Sequence, residues 1–278
     1  MEFSWLESAL MGLVSGFADV LPVSAQAHRI IFLKFFGKHV EPDLLRLFIH
    51  IGIFVSLYVA NQSHIVRMIR ARKLSRIPKK KRKRPLDTRS LMDLSLVKTI
   101  LFPVIIAYFF YEKAANLAGN MIVLAAFMFL NGLILYVPQY LPSGNKDSRT
   151  LSRVEGVLMG LGGATSVIPG FSGVGACASV ASVCGVERSY GLTMSLMMNM
   201  GMMMALIVLD IKAMISAGIG LISFGIVAGY IGAGVVAFLG ATLAIRIMRS
   251  LAANSGYSFF AYYCWGVALF AFILNLMA

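Results

Sequence analysis

The sequence predicts an all-α polytopic membrane protein built as an inverted repeat: two halves, each a re-entrant helix pair followed by three transmembrane helices. Three observations predict it. The chain of 278 residues is 59% hydrophobic and only 13% charged, with a mean hydropathy of +0.81, whereas a soluble domain carries roughly twice that charged fraction. Six apolar segments approach or exceed the length of about 20 residues that a spanning helix needs. A glycine- and proline-interrupted apolar pattern occurs twice, as GLVSGFADVLPVSAQAH from Gly12 to His28 and GLGGATSVIPGFSGVGA from Gly160 to Ala176. It pairs Gly12 with Gly160, Pro22 with Pro169 and Ser24 with Ser172. Such interruptions at matching places in two halves point to a transporter-like site at the membrane midplane.

The N-terminal MEFSWLESAL carries Glu2 and Glu7 where a signal peptide is basic, and reads as part of the mature protein. Region 6–36 is apolar but broken by the first motif, so it is expected to form two short helices that enter and leave on one side. Such backbone must be buried against protein or water, because lipid leaves its amides unsatisfied. Spans over 44–62, 93–111 and 119–138 complete a first repeat, 1–142. A second broken pair over 154–185 and spans over 191–210, 216–240 and 257–277 complete the second, 143–278. The whole is one integral membrane domain. Three spans per half is an odd number, so the second half is expected to be inverted.

The net charge of +13 is concentrated. Between Arg67 and Arg89 stand twelve Lys/Arg and one acid, Asp87, a net +11. The run Lys79 to Arg84 has the composition of a nucleic-acid patch, but in a multispanning chain it reads as a cytoplasmic loop (63–92) beside anionic head groups, with no nucleic-acid partner. That orientation also puts Lys146, Arg149, Arg153, Arg188, Arg246 and Arg249 inside and both termini outside. Lys34, Lys38, Arg46, Lys113 and Lys212 then lie near the outer face. The expected location is the plasma membrane of a prokaryote.

Cys177, Cys184 and Cys264 lie in apolar segments without a CxxC or a Cys/His cluster, which argues against a structural zinc site. Seven methionines between 191 and 204 suit flexible packing better than a metal relay. Gly225, Gly229 and Ala233 form a small-residue stripe, a packing face for another helix within the fold or in a homodimer.

Chemistry gathers at the first break, where Asp19, Ser24, Gln26, His28 and Arg29 stand. Ionisable residues in apolar membrane segments are costly and mark function by default. His28 has the chemistry of a general base or nucleophile, with Asp19 as its acidic partner. Pro22 is expected to begin the second short helix, and Pro169-Gly170-Phe171-Ser172 its counterpart. Two helix N-termini would then form a cradle for an anionic head group. The alternative is that Ser24, Ser172 and His28 only satisfy backbone groups freed by the breaks. His39 and His64 read as loop or interface residues, and His50 as cavity-facing or paired with another helix.

GFADVLPVSAQAH resembles the first signature of the undecaprenyl-diphosphate phosphatase (bacitracin-resistance, BacA) family, roughly E-G-x-x-E-x-L-P-V-S-S-x-G-H. IPGFSGVGA resembles its second, I-P-G-x-S-R-S-G-A. The resemblance extends through FIHIG (Phe48 to Gly52) and GVERSYGLTMSL (Gly185 to Leu196). It implies an inverted-repeat membrane protein that hydrolyses a polyprenyl diphosphate carrier to the monophosphate, commonly with a divalent cation such as Mg or Ca. By that resemblance His28, Ser24 and Asp19 are the catalytic candidates, with Asp19 as metal ligand. Pro169, Gly170, Ser172 and Gly173 are its substrate-binding candidates, and Gln26 and Arg29 are added from the polar residues of the first break.

The chain departs from the signatures at charged positions. The family's two glutamates fall on Ser15 and Asp19, its second serine on Ala25, and the glycine before histidine on Ala27. The arginine of the second signature falls on Gly173 and the next serine on Val174. A glutamine often found before that signature falls on Gly163, and a C-terminal Tyr-Arg falls on Tyr263-Cys264. The expectation is therefore a backbone cradle kept while its charged groups are depleted. Two main readings follow: a phosphatase of lipid diphosphates, or a non-hydrolytic lipid-phosphate flippase or binding protein. A third is a partner protein that docks through its basic loop.

Overall fold

A computed structural model describes residues 3–217, 223–254 and 257–276, and among these the secondary structure is helical. The order is α1 (Trp5–Ala18), α2 (Ala25–Phe35), α3 (Asp43–Ser75), α4 (Thr88–Tyr108), α5 (Tyr111–Ala115), α6 (Met121–Tyr136), α7 (Arg153–Ala164), α8 (Gly173–Val183), α9 (Arg188–Ala217), α10 (Phe224–Asn254) and α11 (Ser258–Leu276). Six helices are long and apolar enough to cross a membrane: α3, α4, α6 with its extension to Tyr140, α9, α10 and α11. The pairs α1/α2 and α7/α8 are the two broken regions. The expected span at 216–240 overlaps residues 218–222, and the one at 257–277 ends on 277; these lie outside the described residues.

Both broken pairs begin in the same way. Ser4 caps α1 and Ser152 caps α7, each in a reciprocal capping box with the glutamate three residues on, Glu7 and Glu155. Each box satisfies two of the amides that a helix start leaves unpaired. Both short helices then press glycine onto a long helix. A methyl group at Gly12 would overlap the Ala233 carbonyl of α10, and one at Gly160 would overlap the Ile100 carbonyl of α4. So α1 packs on a helix of the second half and α7 on a helix of the first, while α3 packs on α9 and α6 on α11.

The structure corrects several sequence expectations. Helix α3 has 33 residues, about 50 Å at 1.5 Å per residue, so it continues past residue 62 through Arg67, Arg70, Arg72 and Lys73. Hydropathy ends at the charges, but Arg and Lys are good helix formers. The basic loop is correspondingly shorter, 76–87. Neither Pro22 nor Pro169 begins a helix: Ser24 and Ser172 are the N-caps, two and three residues further on. The small-residue stripe of α10 is used inside the fold, with Gly229 facing Trp5 and Ala233 facing Gly12, which removes its argument for a homodimer. The methionines of α9 do pack: Met194, Met197, Met198, Met202 and Met203 are buried in the main core.

Candidate functional site

The two breaks meet and brace one another. Ser24 Oγ accepts the Ala27 N–H of its own helix (3.2 Å) and the Gly170 N–H of the other break (2.9 Å). Ser172 Oγ accepts the Gly175 N–H (3.2 Å) and donates to the Leu21 carbonyl (3.4 Å). Gly170 sits at φ +106°, where a side chain would also strike Phe127, so the turn into α8 requires glycine.

Two asparagines hold the unwound backbone. On α6, Asn131 donates to the Pro22 carbonyl (3.3 Å) and accepts the Ser172 N–H (2.9 Å). On α9, Asn199 donates to the Asp19 carbonyl (2.8 Å). Sequence reasoning passed over both. The available signal was an amide side chain inside an apolar span, which must find a polar partner.

Between the breaks lies a polar pocket of about 30 Å³, lined among others by Asp19, Gln26, Arg29, Ser166, Gly173 and Asn199. That is room for one or two waters. The first turns of both α2 and α8 line it, through Ala25 and Gln26 and through Gly173 and Val174. Amides in a first helical turn have no intrahelical acceptor and carry the positive end of the helix dipole. Gln26 Nε2 donates to the Ser166 carbonyl (3.1 Å), tying the breaks together once more. Asp19 Oδ2 and, one turn earlier on α1, Ser15 Oγ are buried without a hydrogen-bond partner. Arg29 is 6% exposed and gives one donor to His50.

The predicted site residues thus divide. Asp19, Gln26, Arg29, Ser172 and Gly173 come together in the pocket. Ser24 is fully buried and occupied as a cap. Pro169 and Gly170 shape the turn. His28 is elsewhere: its Nδ1 donates to the Ser24 carbonyl (2.6 Å) and its Nε2 accepts from the Tyr263 hydroxyl (2.7 Å). The two rings stack at 5.7 Å. His28 lines a separate cleft of about 400 Å³ with Leu13, Phe17, Leu21 and Phe260, and Ala18 and Val23 border both spaces. The reason is helical geometry: Gln26 and Arg29 are three apart and share a face of α2, and His28 is turned away from it.

Among the described residues no three His, Cys, Asp or Glu converge as ligands. Among the described residues that line the pocket, Asp19, with its unpartnered oxygen, is the one carboxylate.

Residues 8–270 match the family described as bacitracin resistance protein BacA. The chain belongs to that family. Its similarity to proteins named undecaprenyl-diphosphatase runs end to end. It is 29% identical to the one from Methanobrevibacter smithii, over 96% of both chains. It is 23% identical to that of Methanococcus vannielii, over 95% of this chain and 98% of the relative, and 25% identical to that of Thermosipho africanus, over 96% and 98%. Gly173, where the resemblance to the second signature would put an arginine, has little room around it. A Cβ there would stand 2.8 Å from Ser166 Cβ and 2.9 Å from the Gly163 carbonyl oxygen. The first turn of α8 is pressed onto the end of α7 and has no space for a long side chain.

Proposed function

We propose that this chain acts on the diphosphate head of a polyprenyl carrier lipid in a prokaryotic plasma membrane, in the reaction for which its relatives are named: hydrolysis of undecaprenyl diphosphate to the monophosphate. The observation that carries this reading is the pocket, where two helix N-termini, one guanidinium and one carboxylate converge between the breaks. Helix N-termini and arginine forks are phosphate binders. Water attacks the terminal phosphorus, the bridging P–O bond of the anhydride breaks with the polyprenyl monophosphate as leaving group, and the attacked phosphorus with the water oxygen becomes inorganic phosphate. Asp19 takes the proton of the attacking water. Arg29 and the first-turn amides of α2 and α8 bear the charge that develops on the phosphate oxygens. A divalent cation, Mg or Ca, fits as one held by Asp19 and the phosphates themselves, a common arrangement for Mg, where it would add Lewis-acid stabilisation. The pocket must widen to admit the head group.

The reciprocal packing of α1 on α10 and α7 on α4 supports an inverted pair of repeats, 1–142 and 143–278. The charge asymmetry supports both termini outside and residues 76–87 in the cytoplasm. A second reading, a non-hydrolytic carrier of the same lipid, is favoured by one observation: Ser24 is used as a cap and His28 faces the apolar cleft, so neither offers a nucleophile to the pocket.

Phosphate release from undecaprenyl diphosphate by the purified protein, with Mg²⁺ or Ca²⁺, separates the readings. Hydrolysis that falls about 10²–10⁴-fold in Asp19→Asn and persists in His28→Ala supports the enzyme with Asp19 as base. Binding and lipid translocation without release would establish the carrier. Absence of both would sink the diphosphate reading altogether.

A further inference from the structure

Helices α3 and α9 hold a chain of polar side chains that the proposed reaction leaves unused. Arg46 Nε donates to Asp210 Oδ1 (2.5 Å), His50 Nδ1 lies 2.6 Å from Asp210 Oδ2, and His50 Nε2 lies 2.8 Å from Arg29 Nη1. His50 and Asp210 are 0% and 2% exposed. The chain begins at Asp43, which accepts from Arg46 (2.7 Å), and ends at Arg29 in the polar pocket.

Donor and acceptor chemistry fixes how it is wired. A guanidinium only donates, so His50 Nε2 must accept; a carboxylate only accepts, so His50 Nδ1 must carry the proton. The neutral imidazole, in that tautomer, is the species that fits between Arg29 and Asp210. Buried ionic groups in an apolar segment are retained against a desolvation cost, and here the chain ties one corner of one guanidinium. A long side chain held in this way has less freedom left to lose when an anion binds.

We propose that His50 and Asp210 are positioning residues for Arg29, setting its guanidinium into the pocket as the clamp that the closed first turn of α8 cannot provide. This rests on the diphosphate reading above. It makes the charge at the first break a replacement delivered from a different helix, α2 in place of α8.

The test uses the full-length protein in detergent, with undecaprenyl diphosphate as the probe in equilibrium binding and in phosphate release. His50→Leu removes both hydrogen bonds and is expected to weaken binding and raise KM roughly 10–100-fold, the worth of a hydrogen bond to a charged group. His50→Gln can accept from Arg29 and donate to Asp210, and is expected to retain most of the affinity. Arg29→Ala with His50→Leu should bind no worse than Arg29→Ala alone, because the two act as a unit. ¹⁵N-histidine NMR without ligand should show a protonated Nδ1 and a bare Nε2 on the resonance that disappears in His50→Gln. A protonated Nε2, an unchanged affinity in His50→Leu, an equal loss in His50→Gln, or additive losses in the double variant would overturn the proposal. Wild-type protein that fails to bind the lipid would overturn the diphosphate reading and the clamp with it, whatever the tautomer.

Discussion

The two breaks share a backbone plan and divide the chemistry unequally. The first places Asp19, Gln26, His28 and Arg29 within residues 19–29, while the second has no acidic or basic side chain anywhere between residues 156 and 186. Both use serine N-caps and both direct a first helical turn at the pocket. The difference shows what each half must supply. A pocket between two breaks needs one wall that carries charge and one that lets the backbone come close. Glycine at 163, 170 and 173 allows that approach, and each methyl group added there would strike a neighbour.

The most direct way to break this division is to put the charge back on the second half. Gly173→Arg restores the residue type of the family signature but inserts it where Ser166 and the Gly163 carbonyl already sit. Overpacking of this kind costs about 1–3 kcal/mol, occasionally more, and shifts the turn that holds Ser166. The expected result is a lower melting temperature with no gain in diphosphate binding. Gain of binding at unchanged stability would mean that the second break is an open position and that the division drawn above is wrong.

A second variant sharpens the comparison through one of the side chains that join the breaks. Asn131 bonds the Pro22 carbonyl on one side and the Ser172 N–H on the other. Asn131→Leu leaves both buried groups without that partner, about 1–3 kcal/mol for each left unsatisfied. Hydrogen exchange should rise in both breaks together. A change confined to residues 165–173 would show that the first break is held by other bonds, such as the Asn199 contact to the Asp19 carbonyl and the Ser172 contact to the Leu21 carbonyl.

How much of this was legible in the sequence follows from which physical signals are local. The six spans, the two broken regions and the pairing of Ser24 with Ser172 were legible, because hydropathy and the Gly/Pro pattern act over short stretches of chain. The capping boxes at Ser4 and Ser152 were equally local, each a Ser-x-x-Glu, yet lay outside the repeated motif as it was drawn. The partners of Asn131 and Asn199 were not legible: their bonds join residues 109 and 180 positions apart. The same holds for His50, whose bond to Asp210 crosses 160 positions. At the site, Asp19 and Arg29 line the pocket together, while His28, their neighbour in sequence, lines the adjoining cleft. Its position on α2 turns it instead onto Tyr263.

The smallest expected effect compares the two helix starts. Glu155 and Glu7 play the same part in equivalent capping boxes, but Lys146 lies 2.6 Å from Glu155, whereas Lys38 lies 3.3 Å from Glu7. The Lys146 hydrogen bond, followed by those of Ser152, holds the Glu155 carboxyl down at about 2. The Glu7 carboxyl is also lowered, chiefly by the Ser4 backbone N–H. A carboxylate whose pKa is depressed on folding contributes stability that is complete above its unfolded value and is lost as pH falls through the folded one. For Glu155 that window runs from about pH 4.5 down to about 2. The pair is partly exposed, so the loss is that of a surface ion pair, about 0.2–1 kcal/mol. Melting temperatures of wild type and Glu155→Gln should therefore differ at pH 6 and converge toward pH 2.5, with Lys146→Gln showing an intermediate slope. Parallel curves would mean that Glu155 is as ionisable unfolded as folded. The cap at Ser152 would then act through its hydroxyl alone, and the two helix starts would differ in appearance but not in energy.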